Sequence, residues 1–238
     1  MYTDRNDTTG QRIRDLVLYF LCYGLCLLLT FVASLSAAGH THAETTTTDL
    51  VARIQQKYAS IQSLRAEFVQ ESRSLAASLS TTAHGKLYFR KPRAMRWQYK
   101  EPRQWFLVLE DKAWHYVPAD MTVYERLIRS PEVLNLFSGL DRVRETFRIT
   151  RLPDTPDSPM RNRLELLPLE AEFPVRKVKL WVDPTSYLVV RIQTEDPLGN
   201  LNEISFDNIE LNPALESNLF RLQIPDGARV DREDTSPP

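Results

Sequence analysis

Leu50, Ile54, Tyr58, Ile61 and Leu64 follow one another at helical spacing behind a Thr-rich run, Thr45 to Thr48. Apolar residues three and four apart fall on one stripe of a helix, and a Thr or Asp just ahead of them accepts hydrogen bonds from the free amides of the first turn. The pattern predicts one amphipathic helix whose stripe rests on a core. A second helix is predicted to begin at Ser130-Pro131-Glu132, with Ser as cap and Pro at the first helical position. It continues through Val133, Leu134, Leu136 and Phe137 and stops at Ser138-Gly139, and a third short turn fits between Leu140 and Thr146.

Elsewhere the period is two. "KLYFR", "MRWQY", "WFLVL", "AWHYV" and "TVYERL" are short, rich in aromatic or β-branched residues and separated by turn residues. "VRKVKLWV" runs into the turn Asp183 to Ser186 and then "YLVVRIQTE", which predicts a hairpin; Asp196 to Asn200 supplies the next turn. "LNEISFDNIEL" follows, its alternation broken near Asn208 in the manner of a β-bulge. "LPDTPDSPMRN", Leu152 to Asn162, reads as one exposed loop between strands. Helix, strands, short helices and more strands, in that order, predict an α+β fold: a large curved antiparallel sheet with a few helices on one face.

The segment Gly85 to Leu109 sharpens this picture. On alternation, Leu87 and Phe89 share one face, and Met95, Trp97 and Tyr99 share one face of the next strand. In "AWHYV" the same rule sets His115 opposite Trp114 and Tyr116, which predicts a solvated His115 and inward aromatics. One good helix and one or two short ones leave such a sheet only partly covered. That predicts an apolar cavity suited to an apolar ligand.

The N-terminus is of another material. Arg12 and Arg14 precede "LVLYFLCYGLCLLLTFVASLSAA", and this order of charged, apolar and small residues is that of a secretory signal over residues 1–43. Cleavage fits after Ala38 or after Ala43; the run is also long enough for an uncleaved membrane anchor. Residues 44–230 then form a single domain, with 231–238 a polar tail. Cys22 and Cys26 both lie in the apolar run, so a cleaved product holds neither a disulfide nor a thiolate metal site. Leu21 and Leu25 precede them where lipoprotein processing needs a small side chain, which argues against a lipid anchor.

Composition removes further classes. The formal net charge is −1, and losing three basic and three acidic residues with the signal leaves it there. With no basic excess, nucleic acid is not an expected partner. His40 and His42 lie at the cleavage region, so only His84 and His115 remain for a mature active site. No nucleophile elbow, phosphate loop, zinc-helix motif or calcium loop occurs, so no catalytic residue, metal or cofactor is expected.

"GKLYFRKPRAMRWQY", Pro102, "WHYVP", "SPEVLNLF", "LELLP", "VDPTSYLV", "DPLGN" and "LFRLQIPDGARV" stand in an order that resembles the periplasmic outer-membrane lipoprotein carrier family, LolA. The resemblance runs from about Leu50 to Val230, and includes Pro92 with Trp97 and Phe220 with Pro225 and Gly227. It implies an open antiparallel half-barrel whose concave apolar face is closed by helices acting as a lid. Leu87, Phe89, Met95, Trp97, Tyr99, Trp114 and Tyr116 would line the acyl-chain cavity. Leu50, Ile54, Tyr58, Ile61, Leu134 and Phe137 would come from the lid helices.

By the same resemblance the protein would be a monomeric periplasmic chaperone and not an enzyme. Its partners would be triacylated lipoproteins, an inner-membrane lipoprotein-releasing ABC transporter and an outer-membrane lipoprotein receptor. The family's lid latch is an arginine just before the proline of the first strand pair; here Lys91 precedes Pro92, with Arg90 and Arg93 as possible substitutes. Glu110-Asp111-Lys112 stands where the family has Asp-Gly-Lys, which predicts another turn type. A carrier or sensor of a different envelope lipid shares these features, and an enzyme using the cavity is the alternative of another class.

Overall fold

The computed structural model describes residues 41–101, 103–127, 143–153, 162–170 and 175–232. The signal region up to residue 40, the predicted helix bearing Leu134 and Phe137, Pro102 and the middle of the Pro-rich loop lie outside the described residues. Helix α1 spans Thr41–Ala59. Six strands follow: β1 Ser63–Ser74, β2 Leu79–Arg90, β3 Ala94–Tyr99, β4 Trp105–Leu109, β5 Lys112–Val117 and β6 Thr122–Leu127. A short helix α2, Val143–Thr146, leads to β7 Phe147–Leu152, β8 Asn162–Pro168, β9 Lys177–Val182, β10 Val189–Glu195 and β11 Leu201–Leu211. After a 3₁₀ turn at Ser217–Phe220 comes β12, Arg229–Arg232, which reaches two residues into the expected polar tail.

All twelve strands form one open curved sheet in the order β12-β6-β5-β4-β3-β2-β1-β11-β10-β9-β8-β7. Neighbours are antiparallel except β12, which runs parallel to β6. The hairpin β9–β10 pairs as its sequence predicts, and the strands flanking the Pro-rich loop, β7 and β8, are paired antiparallel with each other. The bulge at Asn208 is present: Arg65 faces Glu210 while Glu67 faces Asp207, so two residues of β11 oppose Ala66, and Asn208 takes a φ of 50°. An inserted residue bends its strand and tightens the local twist, which helps such a wide sheet to curve. The β4–β5 turn departs from the glycine pattern as expected, with Glu110 itself at a φ of 52°.

α1 differs from its expected bounds at both ends. The helix runs back through the Thr-rich segment to Thr41, since a run of Thr costs only a few tenths of a kcal/mol per residue in a helix and apolar spacing says nothing about it. At the other end it stops at Ala59, where the Ser60 and Ile61 amides donate to the carbonyls of Lys57 and Tyr58, three residues back. Ile61 and Leu64 extend the stripe by position only, Leu64 being already in β1.

The two faces of the sheet are built differently. On the inner face, the one α1 covers, Leu50, Val51, Ile54 and Tyr58 join one buried cluster with residues from β1 to β4 and β7 to β11. On the outer face Trp105, Leu107, Trp114 and Val123 form a second buried cluster, with Leu222, Ala228 and Val230 of the C-terminal segment packed on it. Farther round, the outer face carries ion pairs such as Lys86 with Glu67 and Arg191 with Glu203.

Candidate functional site

The inner face takes its shape from register. Ala66, Leu87, Trp97, Phe106, His115 and Tyr124 lie directly opposite one another across β1 to β6 and so share that face. In the adjacent row Phe68 faces Gly85, which faces Tyr99. The Phe68 ring meets Trp97 and Tyr99 edge to face, at centroid distances of 4.9 and 5.0 Å. The Trp97 indole donates to Met95 Sδ at 2.9 Å, so its one polar atom is answered within the cluster.

Leu87, Phe89, Met95, Trp97 and Tyr99 are thus brought together on one buried face. Trp114 and Tyr116 are not. They point to the outer face, Trp114 opposite Leu107 and Tyr116 opposite Trp105, with the Trp105 and Tyr116 rings stacked at 5.8 Å. The expected alternation in β5 is right and its sense is reversed. The outer face here is apolar as well, because the C-terminal segment covers it, so two greasy rings gave no guide to which side was in. His115, expected in solvent, is 4% exposed and stacks on Phe106 at 3.7 Å with rings 8° from parallel. Burial pushes its pKa down to about 3, with a smaller push from Arg126, so the imidazole is neutral.

Seven residues along β1 from Ser63, about 23 Å at a strand's rise, the face turns polar. The Tyr99 hydroxyl donates to Gln70 Oε1 at 2.7 Å, Gln70 Nε2 donates to Asn202 Oδ1 at 2.7 Å, and the Ser72 hydroxyl donates to the same oxygen at 2.9 Å. Gln70 and Asn202 are both buried, and these bonds offset the cost of taking them out of water. Phe68, Gln70, Phe106 and Phe206 are inner-face residues that the sequence reading did not select; the Leu64-Ala66-Phe68 alternation signals the first two, which lie in β1, and says nothing of Phe106 in β4 or Phe206 in β11.

α1 is tied down by polar contacts as well as by its stripe. Lys91 Nζ donates to the carbonyls of Ala59 at 2.8 Å and Tyr58 at 3.2 Å, the last carbonyls of the helix, where a cation also meets the negative end of the helix dipole. Lys91 is followed by Pro92 through a cis peptide bond. The buried Tyr58 hydroxyl accepts the Val189 amide at 3.0 Å, and burial pushes its pKa up to about 12. Farther back, Arg53 Nη1 donates to the Tyr187 hydroxyl and Arg144 Nη2 to the Thr48 carbonyl, both at 3.2 Å.

Arg90, one possible substitute for Lys91, is engaged elsewhere. Its guanidinium sits 4.4 Å from the Phe220 ring centroid. Arg96, on the outer face of β3, donates to the Leu219 carbonyl at 3.3 Å and lies 5.1 Å from the Trp105 ring centroid. Burial lowers its pKa. Both bases contact the C-terminal segment, Arg96 buried and Arg90 half-buried.

The family model described as outer membrane lipoprotein carrier protein LolA matches residues 59–223. An outer-membrane lipoprotein carrier protein from Alkalilimnicola ehrlichii is 24% identical over 213 residues, covering 87% of this chain and 90% of its own. Its counterpart from Legionella pneumophila strain Corby is 24% identical over 219 residues, covering 88% and 98%. Among solved structures, a LolA superfamily protein from Nitrosomonas europaea aligns with a TM-score of 0.43 at 12% identity, over 74% of this chain and 97% of its own.

Proposed function

Because the chain belongs to the LolA family of outer membrane lipoprotein carrier proteins, we propose that it is a periplasmic chaperone that ferries acylated lipoproteins from the inner to the outer membrane. In this reading the acyl chains lie on the inner face in the place of α1, or beneath it. An inner-membrane ABC transporter hands the cargo over and an outer-membrane receptor takes it. No bond is made or broken.

One observation supports this most. A large apolar face bearing Leu87, Phe89, Met95 and Trp97 is covered, among the described residues, by the long helix α1, whose last turn is held by two hydrogen bonds from one lysine. Such a cover is strong enough to keep the face dry and weak enough to move. Energetics ask for this balance. Three chains of 16 carbons, at about 0.8 kcal/mol per methylene, would gain ~38 kcal/mol if wholly buried, whereas noncovalent affinities saturate near half of that. A carrier that must give its cargo up therefore offsets burial against the cost of opening. Lys91 acts as the latch: broken contacts at Tyr58 and Ala59 are part of that cost.

The test is native mass spectrometry of the secreted protein after mixing with membranes that hold a labelled triacylated lipoprotein. A soluble one-to-one complex, lost in Trp97→Glu, is the expected result. A free lipid in place of the lipoprotein would reassign the protein to another lipid, and turnover of the cargo would make it an enzyme.

A further inference from the structure

His115 is the odd member of its row. It continues the line of Leu87, Trp97 and Phe106 across the inner face, and its ring is stacked flat on Phe106. Nε2 lies 3.3 Å from Gln104 Oε1, and Gln104 is itself 9% exposed. With an amide oxygen as neighbour, Nε2 carries the proton and Nδ1 is a bare acceptor. That Nδ1 is buried and has no hydrogen-bond partner among the described residues. A buried acceptor left unanswered destabilises the fold, and such atoms are few in native proteins. Phenylalanine would stack on Phe106 as well and carry no such cost.

We propose that His115 Nδ1 is a recognition point on the inner face for an amide N–H at the polar end of a bound acyl chain. This rests on the carrier reading above and adds to it which linkage of the cargo is read. Of the bonds that attach acyl chains to a triacylated lipoprotein, the esters offer acceptors alone and the amide offers a donor. A chain lying along Trp97 and Phe106 brings its head to His115, where the neutral imidazole accepts that donor. The Gln104 contact at Nε2 fixes the tautomer that leaves Nδ1 free to do so. Ester-linked lipids without a donor would bind the same apolar face and leave the acceptor unanswered.

The test compares two synthetic probes, an N-palmitoyl peptide and the same peptide with its acylated nitrogen methylated, binding to the full chain. Wild type should prefer the N–H probe about tenfold, the scale of one buried acceptor gaining or losing its donor. His115→Phe should reduce the preference to about twofold or less, since only the bulk of the methyl group remains. His115→Asn, whose side-chain oxygen reaches the place of Nδ1, should keep it. In wild type the ¹⁵N resonance of Nδ1 should also move upfield on adding the N–H probe alone, a readout that needs no variant to fold. Equal binding of the two probes to wild type, or one ratio shared by all three proteins, overturns the proposal while leaving the carrier reading intact. If neither probe binds, the carrier reading itself fails.

Discussion

Phe68 occupies the space that a side chain at Gly85 would need. A Cβ placed on Gly85 would lie 2.5 Å from Phe68 Cζ and would also clash with the Gln98 carbonyl oxygen. The two residues face each other across β1 and β2, so an aromatic ring covers a bare stretch of backbone at the centre of the sheet. Such pairing of an aromatic with a strand glycine restores the packing that the glycine lacks.

Gly85→Ala is therefore expected to cost about 1–3 kcal/mol, as overpacking does, because neither a rigid ring nor a sheet carbonyl can give way. Urea denaturation measures it. Phe68→Leu in the same chain should recover part of the loss, and strictly additive effects of the two substitutions would show that they do not share this space.

Tyr58→Phe removes the only atom of that side chain that α1 offers to the Val189 amide. The amide is left buried without its acceptor, and the expected loss is about 1–3 kcal/mol with an unchanged far-ultraviolet spectrum. A change below a few tenths of a kcal/mol would mean that water reaches Val189.

Lys91→Met keeps the apolar stem and removes the two hydrogen bonds to Tyr58 and Ala59. A loss of about 1 kcal/mol is expected, with hydrogen exchange of the α1 amides faster while those of β1 and β2 hold their protection. Under the proposed function, bound lipopeptide should be captured as before and released faster. Lys91→Arg should restore both properties, and unchanged release kinetics in Lys91→Met would remove the latch role.

Acid should weaken the fold through His115. Its folded pKa, about 3, lies below the ordinary 6.5 because of burial and, less so, of Arg126; Gln104, Phe106 and Tyr124 lie around the ring. As pH falls below 6.5 the unfolded chain binds a proton that the folded chain refuses until about 3. Stability thus falls over that window, by up to about 1.4 kcal/mol per pH unit. Denaturation at pH 7, 6 and 5 should give a steeper fall for wild type than for His115→Gln, and parallel profiles would acquit His115.

The sequence showed the strands of this sheet better than their faces. In β2 and β3 alternation gave the inner side outright, because Lys86, Gln98 and Lys100 stand opposite Leu87, Trp97 and Tyr99. In β5 both sides are covered, one by the inner cluster and one by Leu222, Ala228 and Val230, so alternation found the pairing of Trp114 with Tyr116 but not its direction. The covering segment is distant in sequence and mostly without regular structure, and no local pattern announces it. Lys91 was singled out by a resemblance and by nothing in its local pattern; its ammonium meets the last carbonyls of α1. The polar network of Gln70, Tyr99 and Asn202 was illegible, since its members come from three strands, Gln70 and Asn202 each pass for surface residues, and Tyr99 reads as one more apolar ring.

The parallel addition of β12 to β6 bears on how such a protein survives in concentrated solution. An uncovered strand edge is a template for another chain, and one beside an apolar face is doubly hazardous. Here the edge is β12 itself, only four residues long, with Arg229, Asp231 and Arg232 exposed along it and Arg232 Nε 3.4 Å from Glu125. The far edge, β7, carries an exposed Arg148 and a half-buried Arg151 along its short length, charges that a second strand would have to desolvate. Protection against self-association is thus built into both ends of the sheet, and the greasy inner face lies between them under α1.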